Sequence, residues 1–204
     1  MIRAFVGAGG KTTLIHRQAE QYRAQGKTVF VTTSTHMFIE PDTLLTDDAD
    51  VIIGQLKRTG YAMAGLPEGE KIRALSPGTY RRVCAAADVV LVEADGSARK
   101  PVKFPNAAEP VIDANVDEIV IVCGLHAVGR ALGQAAHRPE LAAACLGVPE
   151  HTPLTVEHIA RLVLQGYLRP LRQKYPGVSL SVYPAGGTRA QAERLFSILG
   201  EAQP

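Results

Sequence analysis

Val6-Gly7-Ala8-Gly9-Gly10-Lys11-Thr12-Thr13 decides how this chain is read, because it stands between a buried strand and a helix. Residues 2–6 before it are short and mostly apolar, the profile of a strand covered on both faces. From Thr12 the period becomes helical: Ile15, Ala19 and Tyr22 fall on one face, and Gly26 supplies a stop. Residues 28–33 carry Val29-Phe30-Val31, a second strand. Strand, glycine loop, helix and strand in that order predict two parallel strands with a right-handed crossover.

The alternation continues outward from that unit. Ser76-Pro77 is a natural N-cap with proline at the first helical position, and Tyr80, Val83, Cys84 and Ala87 then share a face. Residues 89–92 and 119–122 are further short apolar strands. Thr155 caps a helix with Val156, Ile159, Ala160, Val163 and Leu164 in one stripe, stopped by Gly166. Residues 178–183 form a weaker strand. A last helix starts at Thr188, with Gln191 completing a capping box and Ala192, Leu195, Phe196 and Leu199 turned inward. Between Pro41 and residue 75, the acidic Asp47-Asp48-Ala49-Asp50 run and Val51-Ile52-Ile53 suggest short strands or a hairpin. The expected fold is therefore α/β, a doubly wound, mainly parallel sheet of P-loop NTPase type. Residues 1–204 read as a single domain with a small inserted hairpin near 37–75, since no linker or repeat divides them.

Composition narrows the function classes. With 204 residues, 46% hydrophobic and 21% charged, the chain can bury a real core. A formal net charge of +2 gives no reason to expect nucleic acid or a membrane surface as partner. Three widely spaced cysteines lack both metal spacing and a disulfide framework, so reduced, buried thiols in a cytoplasm are expected. The N-terminus lacks the pattern of a signal peptide, and no apolar run approaches membrane-spanning length.

The glycine loop carries the chemistry. Phosphates need several backbone N–H donors aimed into one concavity, and glycines let the chain curl closely enough to provide them. Gly7, Ala8, Gly9, Gly10, Lys11, Thr12 and Thr13 would cradle ATP or GTP, helped by the helix dipole. Lys11 would reach the terminal phosphates and the Thr12 hydroxyl would ligate Mg²⁺. An ordinary turn before a helix is the bland alternative; Lys-Thr directly after the glycines argues against it.

Val92-Glu93-Ala94-Asp95-Gly96 ends a buried strand in acids, which places carboxylates at the carboxyl edge of the sheet. Such a group supports Mg²⁺ or orients an attacking water, so the catalytic candidates are Lys11, Glu93 and then Asp95. Thr32-Thr33-Ser34-Thr35-His36 ends the second strand, and Thr33 joins Thr12 and Glu93 as a candidate metal ligand. His36 reads as a hydrogen-bonded or surface histidine. Arg99, Lys100 and Lys103 either grasp an anion or form a solvated face. Arg138 has the chemistry of an arginine finger, with nothing local to fix that role.

Position 5, where the longer phosphate-loop pattern has glycine, is Phe5, so the loop is a short G-x-x-G-K-T form that resembles the loop of Mur-type peptide ligases. As a whole, the chain resembles the YqeC family. The matching stretches are Val6 to Thr13 as quoted, Val31-Thr32-Thr33-Ser34-Thr35-His36, Val92-Glu93-Ala94-Asp95-Gly96, Pro101-Val102-Lys103, Glu109-Pro110-Val111-Ile112, Gly129-Arg130-Ala131-Leu132, His137-Arg138-Pro139-Glu140 and Leu154-Thr155-Val156-Glu157. The resemblance implies a nucleotide-dependent accessory role in maturing a selenium-dependent molybdenum hydroxylase, with that enzyme or its cofactor-handling proteins as partner. Residues 181–187 depart from the Asn-Lys-x-Asp-like segment common in the family, which leaves ATP and GTP both open. The expected activity is a Mg²⁺-dependent nucleoside triphosphatase; a Mur-like ligase or small-molecule kinase, and a non-hydrolysing nucleotide-binding adaptor, are the alternatives.

Overall fold

Seven strands hydrogen-bond side by side in a mainly parallel sheet flanked by helices, the α/β architecture of a P-loop NTPase. The computed structural model describes residues 1–201. Its first half holds β1 (Ile2–Gly7), α1 (Lys11–Ala24), β2 (Val29–Thr33), β3 (His36–Phe38), β4 (Thr43–Leu44) and α2 (Ala49–Thr59). Then come β5 (Tyr61–Ala64), β6 (Leu66–Glu68), β7 (Lys71–Arg73), α3 (Pro77–Ala86) and β8 (Val89–Glu93). The second half holds β9 (Val102–Lys103), β10 (Glu118–Gly124), α4 (Leu132–Ala135), β11 (Ala136–His137) and α5 (Pro139–Leu146). It closes with α6 (Val156–Val163), α7 (Arg169–Lys174), β12 (Ser179–Ala185) and α8 (Arg189–Glu201). The sheet order is β12-β10-β1-β8-β2-β5-β4. The chain forms two compact units, one of residues 1–5, 12–96 and 111–119, the other of residues 6–11, 97–110 and 120 onward.

In the first unit, β1 and β2 are parallel as expected, with β8 between them: Glu93 of β8 is level with Phe5 on one side and with Thr33 on the other. The β2 side chains are buried throughout, and the run reads as apolar because both faces are covered. Arg3 faces α1, donating to Gln18 at 2.8 Å and lying over the Tyr22 ring. On the other face Phe30, Val90 and Val92 pack with Ile52 and Leu56 of α2 and Val83 of α3. Helices thus cover both faces, as a doubly wound sheet requires.

Residues 49–59, expected as strand or hairpin, are the helix α2. Asp48 caps it, accepting from the Asp50 and Val51 amides at 2.8 and 3.4 Å, and Gly60 ends it in the left-handed conformation at φ 70°. The β-branched run Val51-Ile52-Ile53 suggested a strand, but only Ile52 of the three is buried, with Ala49 and Leu56 on the same helical face. A small antiparallel sheet, β3-β7-β6, does stand in the expected region.

In the second unit, Thr155 caps α6 and the capping box expected at Thr188 with Gln191 forms; at Thr155 the His158 side chain completes a box that the sequence reading did not anticipate. Gly166 does not stop its helix. The chain runs on through a π-helical segment, Leu164–Leu168, into α7, and an atom at the Gly166 Cβ position would lie 2.9 Å from Pro105 Cδ. That glycine is there for close approach. Phe196, expected inside, is 47% exposed, whereas Leu195 and Leu199 carry the buried face of α8.

Candidate functional site

The glycine loop takes the shape its composition foreshadows. Gly7 has φ +89°, and a Cβ there would sit 2.1 Å from the Val122 carbonyl oxygen, which already accepts the Ala8 amide at 2.9 Å. Gly9 has φ +99°, and its added Cβ would fall 2.6 Å from the Pro101 carbonyl oxygen. Only glycine satisfies both the backbone angle and the approach at these two positions. Gly10 follows at φ +131°, and Lys11 opens α1.

Lys11 is buried, only 3% exposed. Its Nζ donates to the Gly7 carbonyl at 2.6 Å and to Ser97 Oγ at 3.3 Å. Burying an ammonium is tolerated only with such acceptors. Ser97 was missed in the sequence; its place directly after the acidic strand end was the available signal.

The next residue belongs to the first unit. Thr12 Oγ1 donates to Glu93 Oε2 at 2.8 Å, so the two foremost metal candidates meet. Glu93 is 7% exposed at the end of β8. Thr33, the third candidate, is oriented differently: its hydroxyl donates to the Glu93 main-chain carbonyl at 2.8 Å and accepts the Thr35 amide at 3.0 Å. It steadies the backbone that carries Glu93. Asp95 is fully buried, and Thr13 lies on the exposed side of α1. Two further hydroxyls of that strand end also serve main-chain carbonyls, Thr32 that of Ala64 and Ser34 that of Val111. His36 pairs with Glu68 at 2.9 Å on the surface.

Hydroxyl and carboxylate oxygens are the hard donors Mg²⁺ takes, so Thr12 and Glu93 fit that ion chemically. Among the described residues no group of three or more His, Cys, Asp and Glu side chains is placed to cage a metal. An ion held here would fill its remaining positions with phosphate and water, the usual Mg²⁺ arrangement. Thiol chemistry has little support. Burial pushes Cys84 up to about 11 and Cys123 up to about 12, so neither is a thiolate near neutral pH. Cys84 and Cys145 are only partly buried, unlike the expectation for all three.

The basic stretches resolve in the second unit. Lys103 is neither a solvated charge nor an open anion grip: its side chain is fully buried and its Nζ lies 3.0 Å from Glu109 Oε1. Arg138, considered as a finger, instead meets Glu109 Oε2 at 2.5 Å, held there by a left-handed backbone at φ 60°. β9 and β11 pair in parallel with His137 level with Lys103, which brings these distant stretches together. Burial alone would raise the Glu109 carboxyl, but the Lys103 and Arg138 hydrogen bonds outweigh it and hold the group below its ordinary value. Lys100 Nζ donates to the Gln134 carbonyl at 2.8 Å. Sequence reading did not pair Glu109 with either cation.

Among the described residues, no helix is long and apolar enough to cross a membrane. A family model described as YqeC protein matches residues 3–140. That span holds Lys11, Thr12, Glu93, Lys103, Glu109 and Arg138. A protein of Escherichia coli (strain K12), named Uncharacterized protein YqeC, is 32% identical over 170 residues, which covers 78% of this chain. The chain spans 65% of the length of that relative.

Proposed function

The chain belongs to the YqeC family, and from that premise we propose that it binds ATP or GTP with Mg²⁺ and hydrolyses it while serving the maturation of a selenium-dependent molybdenum hydroxylase. One observation carries the nucleotide reading. The Thr12 hydroxyl rests on the Glu93 carboxylate immediately after a lysine buried against its own glycine loop. A loop lysine, the hydroxyl that follows it and a strand-end carboxylate suit a phosphate-bound Mg²⁺.

In this reading Lys11 leaves the Gly7 carbonyl for the terminal phosphates, and the loop amides take the remaining phosphate oxygens. Thr12 and Glu93 would hold the ion directly or through water, and it would supply charge neutralisation at the phosphates. Thr33 keeps the Glu93 backbone in place. A ligase or kinase would need a cationic grip for its acceptor; the amines of Lys100 and Lys103 already serve Gln134 and Glu109, and this weighs against that alternative. The maturation role rests on the family resemblance of the stretches quoted above.

Two measurements test the proposal. Turnover of ATP and GTP by the purified chain should require Mg²⁺ and stop with chelator; no binding and no turnover of either nucleotide sinks the nucleotide reading. In cells lacking the protein, hydroxylase activity should fall and return with the wild-type chain but not with Lys11→Ala. Unchanged hydroxylase activity in those cells removes the maturation role while leaving nucleotide binding standing.

A further inference from the structure

A doubly wound sheet ordinarily covers each face with the helices of its crossovers, but the crossover from β8 to β10 contains no helix. In the first unit, residues 111–117 instead return over the sheet as an irregular strap tied at its two ends. At one end the Val111 amide donates to the Ala94 carbonyl at 3.0 Å, and Ser34 Oγ donates to the Val111 carbonyl at 2.5 Å. At the other, the Asp117 amide donates to the Ile2 carbonyl at 2.9 Å, and the Ile2 amide donates to Asp117 Oδ2 at 2.6 Å. Between the ties the strap folds on itself, with Asp113 Oδ1 accepting from the Asn115 amide and side chain.

Under the strap lies a cavity of about 460 Å³. That is within the span of small-molecule sites, roughly 300–1,000 Å³. Its floor is apolar and shallow-chained: Ile2 and Ala4 of β1, with Val92 and Ala94 from β8 and the residue after it. Ala4 is level with Val92 in the parallel register, so these side chains share one face. The Tyr80 ring and Leu75 add an apolar wall. Arg81 also lines the space; it is exposed and makes no hydrogen bond or ion pair among the described residues. Asp113 is the acidic lining residue, and it stands on the strap. None of residues 7–13 lines the cavity.

We propose that this cavity binds a small, largely apolar organic molecule with one anionic group, its body on the Ile2–Ala4–Val92–Ala94 floor and its anion at Arg81. The alanines leave room that a crossover helix would otherwise fill. A guanidinium at the mouth of an apolar slot selects a carboxylate or other oxyanion. The Asp113 carboxylate disfavours a second negative charge on the body. The proposal stands on the first unit alone and does not depend on nucleotide binding.

The test uses 8-anilinonaphthalene-1-sulfonate, a largely apolar monoanion, titrated by fluorescence into the whole chain. Saturable binding at one site is expected. Arg81→Gln should weaken it roughly tenfold or more, and Arg81→Lys should restore part of the loss. Ala94→Leu, which fills the floor, should remove saturable binding; Arg81 is exposed, so its variants carry the test even if Ala94→Leu fails to fold. Displacement by 2-naphthoate ahead of 2-naphthyl phosphate would identify a carboxylate ligand, and the reverse order a phosphate ester; both agree with the site. Absence of saturable binding, unchanged affinity in Arg81→Gln, equal displacement by neutral 2-naphthol, or displacement by Mg²⁺-ATP would each overturn the assignment.

Discussion

At the scale of single residues, Lys11 and Glu93 separate binding from chemistry. Lys11→Ala should weaken triphosphate affinity roughly ten- to a hundredfold, the worth of one charge-assisted contact. Calorimetric titration with ATP and GTP decides this, with circular dichroism checking the fold because the amine is buried on Gly7 and Ser97. Unchanged affinity for both nucleotides would remove Lys11 from the phosphate site. Glu93→Gln keeps an oxygen that can accept the Thr12 hydroxyl, so the 2.8 Å contact can survive while the charge is lost. Turnover should then fall far more than nucleotide binding. Equal turnover in mutant and wild type would leave Glu93 a structural strand end, and a comparable loss in Asp95→Asn alone would move the role to Asp95.

At the scale of elements, α2 and the π-helical segment show how local signals are overridden. Asp48→Ala removes a side-chain cap that holds two amides of α2. The cost should be about 1 kcal/mol, or roughly 2–4 °C in melting temperature for a chain of this size. A melting temperature equal to wild type would mean that α2 is held by its buried Ile52 and Leu56 alone. Gly166→Ala is the opposite kind of change, adding a methyl where Phe104 and Pro105 leave no room. Overpacking of this sort costs roughly 1–3 kcal/mol. Pro170, in the first turn of α7, supplies no amide to the helix just where its register changes.

At the scale of the whole molecule, the Lys103–Glu109–Arg138 cluster should govern acid stability. Its carboxyl is held below the ordinary value of 4.5 in the folded chain. A depressed folded value means the stabilisation is fully present above the unfolded value and lost as pH falls through the folded one. Wild-type stability should therefore drop below about pH 4.5, the ordinary carboxyl value, and Glu109→Gln should flatten that drop. At neutral pH the same substitution should cost roughly 3 kcal/mol, because Lys103 is wholly buried and loses its anionic partner. Urea unfolding across pH measures both. Parallel pH curves for wild type and mutant would show that other carboxylates carry the acid sensitivity.

How much was legible in the residues depended on the range of the forces involved. The glycine loop, the strand endings and the caps at Ser76, Thr155 and Thr188 were readable because backbone angles, helix periodicity and capping act within a few neighbouring residues. The family followed from ordered short stretches of that kind. Residues 49–59 misled because a β-branched run outweighed Asp48 and Gly60, and only packing on the sheet selected Ile52 and left Val51 half exposed. Gly166 misled because a glycine required for close approach has the same local appearance as one required for a stop. Nor was any residue-level signal available for the burial of Lys11, the Glu109 pairing or the strap cavity. Each joins positions far apart in the chain, and contacts of that kind exist only once the sheet order and crossovers have brought them together.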